Sequence, residues 1–325
     1  MKNIAIIGAG ELGSRHLQGV LTISKSIFEI FVIDPSTVSL EVSKQRASEI
    51  RHNHNLSFYK TINNLPELLD LVIVATSSKV RLIVLKQLLK KVNVNYLILE
   101  KVLFPELKQY DLALDLIRKN KVKCWVNHPR RMNENYKSVK KYFDSNKSFF
   151  FQLVGGSWGM GCNGLHFIDL FEYLTSSSLT TLNSDFLNKN VIKSKRDGYI
   201  EFTGTITGTL DNKHIFSITS TLGSELITPS ISIMSDTIRL FIQESVSPKI
   251  YIYNKENSFK PELIDFNMKY QSQLTGLLIK QLINTGKCDL PLFEHAAKTH
   301  KKFIKSFLDS WNLNGGTDYS ALPIT

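Results

Sequence analysis

The stretch NIAIIGAGELG, Asn3 to Gly13, decides how the rest of the chain is read. Ile4 to Ile7 form an unbroken apolar run. Gly8-Ala9-Gly10-Glu11-Leu12-Gly13 follows at once in the spacing G-x-G-x-x-G. Beyond it, Leu12, Leu17, Val20 and Leu21 recur at the interval of one helix face. A glycine hexamer alone is a weak signal, but between a strand and a helix it reads as a turn that cradles phosphates. Gly8 permits the tight turn, Gly10 lets the backbone approach a pyrophosphate, and Gly13 allows close helix–strand packing. The helix start adds free N–H groups and the positive end of a dipole. The alternative is a glycine turn that holds nothing.

Outward from this stretch, strand and helix patterns alternate to about residue 127. FEIFVIDP, LSFYK, LDLVIVATSS, NYLILE and VKCWVN are apolar runs without alternation, the mark of strands buried on both faces. Between them lie helix-compatible segments, among them KVRLIVLKQLLKKV and LKQYDLALDLIRKN. The pattern predicts a doubly wound α/β domain over 1–127, a parallel sheet covered by helices. Asp34 ends the second run about 20 residues after the glycines, where an acidic residue binds adenosine ribose hydroxyls. A carboxylate there repels a 2′-phosphate, so NAD is expected over NADP. The competing and compatible role for Asp34 is to cap the helix after Pro35.

From 128 to 325 the grammar changes. SFFFQLVGGSWG, YIEFTGTITGTLD, KHIFSITSTLG, ITPSISIMSD, TIRLFIQES and KIYIYN are β-rich, partly alternating and separated by turn residues. Helical patterns cover GLHFIDLFEYLT, YQSQLTGLLIKQLINTG and LFEHAAKTHKKFIKSFLDSW. The second half is expected to be an α+β domain with a broad, open, mostly antiparallel sheet. Such a sheet leaves an apolar face that favours a homo-oligomer.

Composition excludes several classes. Hydrophobic residues at 42% and charged residues at 21% describe an ordinary globular chain, and no apolar run approaches the roughly 20 residues of a spanning helix. Three cysteines, Cys124, Cys162 and Cys288, have no CxxC spacing and suit a reducing cytoplasm. The net charge of +11 comes from scattered Lys and Arg without a nucleic-acid signature. It is read as solvated surface, the basic loop from Lys189 to Gly198 included, or as a cleft for an anionic small molecule. His52 and His54 lack acidic or Cys neighbours, and no metal site is read there.

One strand ends oddly. In YLILEKVLFPE, Tyr96 to Glu106, Glu100 and Lys101 interrupt apolar sequence, which is costly unless the charges are paired or used. Strand residues alternate in facing, so the two need not pair with each other.

Several segments together resemble the glucose–fructose oxidoreductase / inositol dehydrogenase / MocA family of NAD(P)-dependent dehydrogenases. GAGELGSRHL, with His16, is similar to the family's opening. VIVATSSKVR stands at its Ala-Thr-Pro-Asn-x-x-His pattern, and Glu100-Lys101-Val102 is similar to its Glu-Lys-Pro signature. NHPRRMNENY resembles the segment that opens the second domain, and CNGLHFIDL its Asp-x-Gly-x-His motif. The resemblance implies an oxidoreductase that moves hydride between nicotinamide and a hydroxyl-bearing or keto carbon of a sugar, cyclitol or nucleotide-activated sugar. It implies that Thr76, Ser77 and Glu100 join the glycine turn in holding the cofactor. Arg130, Arg131, Asn163 and Asp169 are then placed on the substrate side. The chain departs from the pattern at Val102 for proline, Ser77-Ser78 for Pro-Asn, Arg81 for His and Cys162 for Asp.

Hydride chemistry also needs a group that moves a proton at the substrate oxygen. Lys101 ends the fifth strand on the side where ligands bind in an open parallel sheet, and His166 begins a helix of the second half. In the reducing direction an ammonium is already the acid. In the oxidising direction the charge on oxidised nicotinamide favours its deprotonation by roughly 3 kcal/mol at about 6 Å in an effective dielectric of about 20. The competing readings are a snorkelling surface Lys101 and a His166 satisfied at its helix start. Asp169 either orients His166 or caps its helix, and Arg130 and Arg131 either anchor substrate or pair between domains. Two rivals to a dehydrogenase are an NAD-dependent glycosidase and a non-catalytic sugar or cofactor sensor.

Overall fold

The computed structural model describes residues 3–143, 146–223, 226–315 and 318–324. They divide into two compact units. The first opens with β1 (Asn3–Ile7), α1 (Glu11–Leu21), β2 (Glu29–Ile33), α2 (Thr37–Ser48), β3 (Asn55–Tyr59) and β4 (Leu68–Val74). It continues with α3 (Ser78–Lys91), β5 (Asn93–Glu100), α4 (Leu107–Lys119) and β6 (Lys123–Asn127). All six strands run parallel in the order β3-β2-β1-β4-β5-β6. The order reverses between β1 and β4, the crevice where such sheets bind ligands. Register aligns Ile7 with Val74, Leu99 with Val126 and Glu100 with Asn127, so the carboxyl ends share one edge. The apolar runs are buried as expected: Ile4, Ile6, Ile73 and Ile98 are at 0% exposure. Each such side chain contributes about 1.5–3 kcal/mol.

The chain then enters the second unit through α5 (Glu134–Lys140), β7 (Phe150–Gly156), α6 (Met160–Thr175), β8 (Leu179–Leu187), β9 (Ile192–Lys193) and β10 (Ile200–Glu201). β11 (Gly204–Leu210), β12 (His214–Thr221), β13 (Ile227–Met234), β14 (Ile238–Gln243), β15 (Lys249–Asn254) and β16 (Pro261–Asp265) follow. Eight of these strands form one sheet, β16-β15-β14-β13-β7-β12-β11-β8. All its pairs are antiparallel except β7 with β12. A parallel pair needs a long crossover, and α6, β8 and β11 lie between those two strands in the chain. Alternation sorts the faces. Phe151, Leu153, Phe216, Ile218, Leu240 and Ile252 are buried, while Phe150, Ile215, Phe241, Tyr251 and Leu263 are exposed on the other side. The loop read as basic surface is in part a two-stranded ribbon, β9 against β10.

Two helices close the chain, α7 (Gln271–Thr285) and α8 (Phe293–Gly315). Residues 269–297 belong to the first unit, although a linear cut after residue 127 assigns them to the second half. The reason is packing. Leu274, Leu278, Ile279 and Leu282 share one apolar core with Leu17, Val20 and Leu21 of α1. The helices touch at glycines: a Cβ on Gly19 would lie 2.6 Å from Ser272 O, and one on Gly276 2.9 Å from Gly19 O. Val126 N–H also donates to Pro291 O at 3.0 Å, extending the sheet edge beyond β6.

Candidate active site

The glycine turn follows β1 with Gly8 at φ +95°. A Cβ on Gly8 would meet Ala75 C and Thr76 N at 2.8 Å, and one on Gly13 would meet Gly8 O at 1.7 Å. Gly10 has nothing within 4 Å of its Cβ direction. Two glycines are thus required by packing, and the third leaves room above the turn. α1 starts at Gly10 without a side-chain cap, so its first N–H groups face that room. Asp34 reaches back to the turn: Oδ2 accepts from Ala9 N at 2.7 Å and Oδ1 from Ser36 N at 2.8 Å. The cap of α2 is Ser36, whose Oγ accepts from Ser39 N at 3.2 Å. Glu11 is exposed and pairs with Arg46 at 2.7 Å, while Leu12 is half-buried. Thr76 and Ser77 lie at the end of β4, and Thr76 Oγ1 is buried with no hydrogen-bond partner. The room over Gly10, the orphaned Thr76 hydroxyl and the Asp34 carboxylate fit a dinucleotide: pyrophosphate at the turn, ribose at Asp34.

Glu100, at 3% exposure, sits in a closed ring of polar groups, all buried except the half-buried Gln271. Its Oε1 lies 2.8 Å from His16 Nε2 and accepts from Asn127 Nδ2 at 2.5 Å. Asn127 Nδ2 also donates to Gln271 Oε1 at 2.9 Å, and Gln271 Nε2 donates to Thr275 Oγ1 at 3.0 Å. Thr275 Oγ1 returns to His16 Nδ1 at 2.8 Å. The ring joins α1, β5, β6 and α7, and it resolves the cost of a buried carboxylate by pairing it. Asn127, Gln271 and Thr275 were not legible as partners, because their sequence positions lie far from Glu100 and His16.

Lys101 follows, half-buried, and the peptide bond from Lys101 to Val102 is cis. Beside it stand His128, at the end of β6, and Arg130 and Arg131 on the short 3-10 turn Pro129–Met132. His128 is held well below the usual histidine range, first by burial and then by the charges of Arg131, Lys101, Arg130 and His295. The carboxyl edge of β5 and β6 is therefore cationic, with the buried imidazole kept neutral among the cations.

His166, Asn163 and Asp169 belong to the second unit, on α6. Asn163 Nδ2 donates to Trp158 O at 3.0 Å; His166 is half-buried and Asp169 buried. The helix has no cap of its own at Gly159. Glu201, on β10, supplies the missing acceptor: its carboxylate accepts from Gly161 N at 2.8 Å and Cys162 N at 3.2 Å. Cys162 stands where the motif that CNGLHFIDL resembles has a carboxylate. The fold returns a carboxylate to that helix turn from 39 residues away, a distance at which no local motif signals it.

Residues 2–128 match the model of an oxidoreductase family with an NAD-binding Rossmann fold, GFO_IDH_MocA. The chain has no match among curated proteins. Solved structures share its fold along almost the whole length. UDP-N-acetylglucosamine 3-dehydrogenase GnnA from Acidithiobacillus ferrooxidans aligns at TM-score 0.67 and 15% identity, over 95% of this chain and 96% of that one. A super-repressor mutant of Gal80p from Saccharomyces cerevisiae aligns at TM-score 0.73 and 16% identity, over 96% of each. An oxidoreductase from Agrobacterium radiobacter, in complex with NAD+, L-tartaric acid and magnesium, aligns at TM-score 0.70 and 15% identity, over 97% of each.

Proposed function

We propose, for a chain whose first 128 residues carry the NAD-binding Rossmann fold of the Gfo/Idh/MocA oxidoreductase family, that it moves hydride between NAD and a hydroxyl-bearing carbon. The substrate class is a sugar, cyclitol or nucleotide-activated sugar. The observation that carries this reading is the alignment of one sheet edge, with the dinucleotide turn after β1, Thr76 after β4 and Lys101 after β5. NAD, when bound, supplies the hydride acceptor.

The chain's own residues divide the remaining work. Backbone from Gly8 to Gly13 receives the pyrophosphate, and the Asp34 carboxylate takes ribose hydroxyls and repels a 2′-phosphate, favouring NAD over NADP. Lys101 holds or takes the proton at the substrate oxygen, and His166 shares that relay. Arg130 and Arg131 bind polar or anionic groups of the substrate, with Asn163 and Asp169 as further contacts. The cationic edge around His128 supports an anionic or nucleotide-linked substrate. The dehydrogenase among the structural relatives, named for a nucleotide sugar, lends the same direction.

The test is NAD+ reduction by the purified protein across a panel of sugars and nucleotide sugars. Lys101→Ala is expected to cost about 10²–10⁴-fold in turnover while NADH still binds. Unchanged turnover in that variant sinks the assignment of Lys101.

A second reading is a cofactor- or sugar-binding regulator without turnover. The departures at Cys162 and Val102 favour it, as does the likeness to a repressor protein. Tight NADH binding with no turnover on any panel member decides for it. In either case the exposed face bearing Phe150, Ile215, Phe241 and Leu263 supports a homo-oligomer, which sedimentation of a single-chain mass would refute.

A further inference from the structure

Val102, Leu103 and Phe104 have no regular secondary structure, and all three are at 0% exposure. Buried carbonyls need donors, and here neither helix nor ladder supplies them. Arg81 does. Arg81 is 2% exposed, and its guanidinium donates to the carbonyl of Val102, to that of Leu103 at 2.8 Å, and to that of Thr76. Tyr110 Oη donates to Phe104 O at 2.9 Å. Burial above all pushes the Tyr110 hydroxyl's pKa up, against the pull of the Phe104 bond and of Arg81, so it stays a donor. Side chains therefore hold all three carbonyls of the buried run. Arg81 also ties the turn after β5 to the end of β4, next to the glycine turn.

Two departures from the family pattern meet at this point, Arg81 for His and Val102 for proline, and they are bonded to each other. We propose that Arg81, seconded by Tyr110, is a positioning residue that fixes Lys101 at the cofactor side of the site. It supplies from outside the restraint that a proline ring supplies from within the chain. A guanidinium suits the task because its donors lie in one rigid plane and reach carbonyls on two segments at once. The proposal rests on the reading of Lys101 as the group beside the nicotinamide.

The test locates Lys101 without needing the substrate. Each lysine's acetylation by N-hydroxysuccinimidyl acetate is timed by mass spectrometry with and without NADH, alongside thermal melts and NADH titrations. In the unaltered protein NADH is expected to slow acetylation of Lys101. In Arg81→Lys, NADH affinity is expected to stay within about threefold while the shielding of Lys101 falls about tenfold. Tyr110→Phe, which loses a single bond, is expected to lose less. If both folded variants shield Lys101 as well as the parent, the proposal is overturned. It is also overturned if acetylation of all lysines rises together, since that marks a general loosening. Should Arg81→Lys fail to fold, Tyr110→Phe decides by the same criterion. If Lys101 of the unaltered protein is not shielded at all, the functional reading fails, and the proposal with it.

Discussion

The turn after β1 and the turn after β5 both end a buried parallel strand at the same sheet edge, and they are held by opposite means. The first is held chiefly by backbone packing, of Gly8 on Ala75 and Thr76 and of Gly13 on Gly8, with the side chains of Asp34 and Ser43 joining at Ala9. The second is held by side chains from elsewhere, with Arg81 and Tyr110 on its carbonyls and His16 and Asn127 on the carboxylate of Glu100 just before it. A turn held by close backbone packing fixes its shape mainly by the absence of side chains at two positions. A side-chain-held turn spreads the same task over α1, α3, α4, β6 and α7, so its geometry depends on positions far away in sequence.

The contrast is open to attack, starting where the effect is largest. Glu100→Ala strips His16 and Asn127 of their buried partner and is expected to cost about 3–5 kcal/mol of unfolding free energy in denaturant titration. A loss below about 1 kcal/mol would mean that the ring does not hold this end of the sheet. Gly13→Ala forces a methyl onto the Gly8 carbonyl, 1.7 Å away. It is expected to weaken NADH binding by about 10–100-fold, equivalent to about 1–3 kcal/mol. If that variant binds NADH as tightly as the parent, the first turn is not backbone-limited. Asp34→Asn keeps an acceptor for Ala9 N but removes the charge. A loss of about tenfold in NADH affinity, with NADPH gaining ground, is expected from paired titrations.

The smallest effect is the part of the pH dependence that His128 brings on the second turn's side of the sheet. His128 titrates near its ordinary 6.5 when unfolded and lower when folded, through burial and the nearby Arg131, Lys101, Arg130 and His295. Between those two values the unfolded chain binds more protons, so stability falls as the pH drops below about 6.5. His128→Gln is expected to flatten that fall between about pH 7.5 and about pH 5.5, leaving the shares of His54 and His214, which burial also lowers. An unchanged slope would show that His128 contributes nothing to it.

What could be read from the chain follows the same division. The parallel sheet, its strands and the close packing at Gly8 and Gly13 were legible because apolar runs and a G-x-G-x-x-G turn signal themselves locally. The second half's sheet was legible in kind, but β8 and β16 were not, since the apolar residues of LTTLNSDFL and PELID do not alternate. At the site, Lys101 was visible as a charge out of place. Arg81 was visible only as a departure from a pattern, and Glu201 not at all. Their roles are set by hydrogen bonds across 21 and 39 residues, and no periodicity encodes such a bond.

The late arrival of α7 has a consequence for how the protein is made. β6 ends at Asn127, and α7 begins at Gln271. At about 5–20 residues per second, a ribosome needs roughly 7–30 s to bridge that gap of about 140 residues. Throughout that interval the emerging parallel sheet has its strands, glycine turn and Lys101, yet the apolar side of α1 that α7 covers has no partner. His16 and Glu100 wait for Gln271 and Thr275. The parallel sheet is therefore made well before the helix that completes it, and its exposure to chaperones and proteases is set by the length of the unit inserted within it.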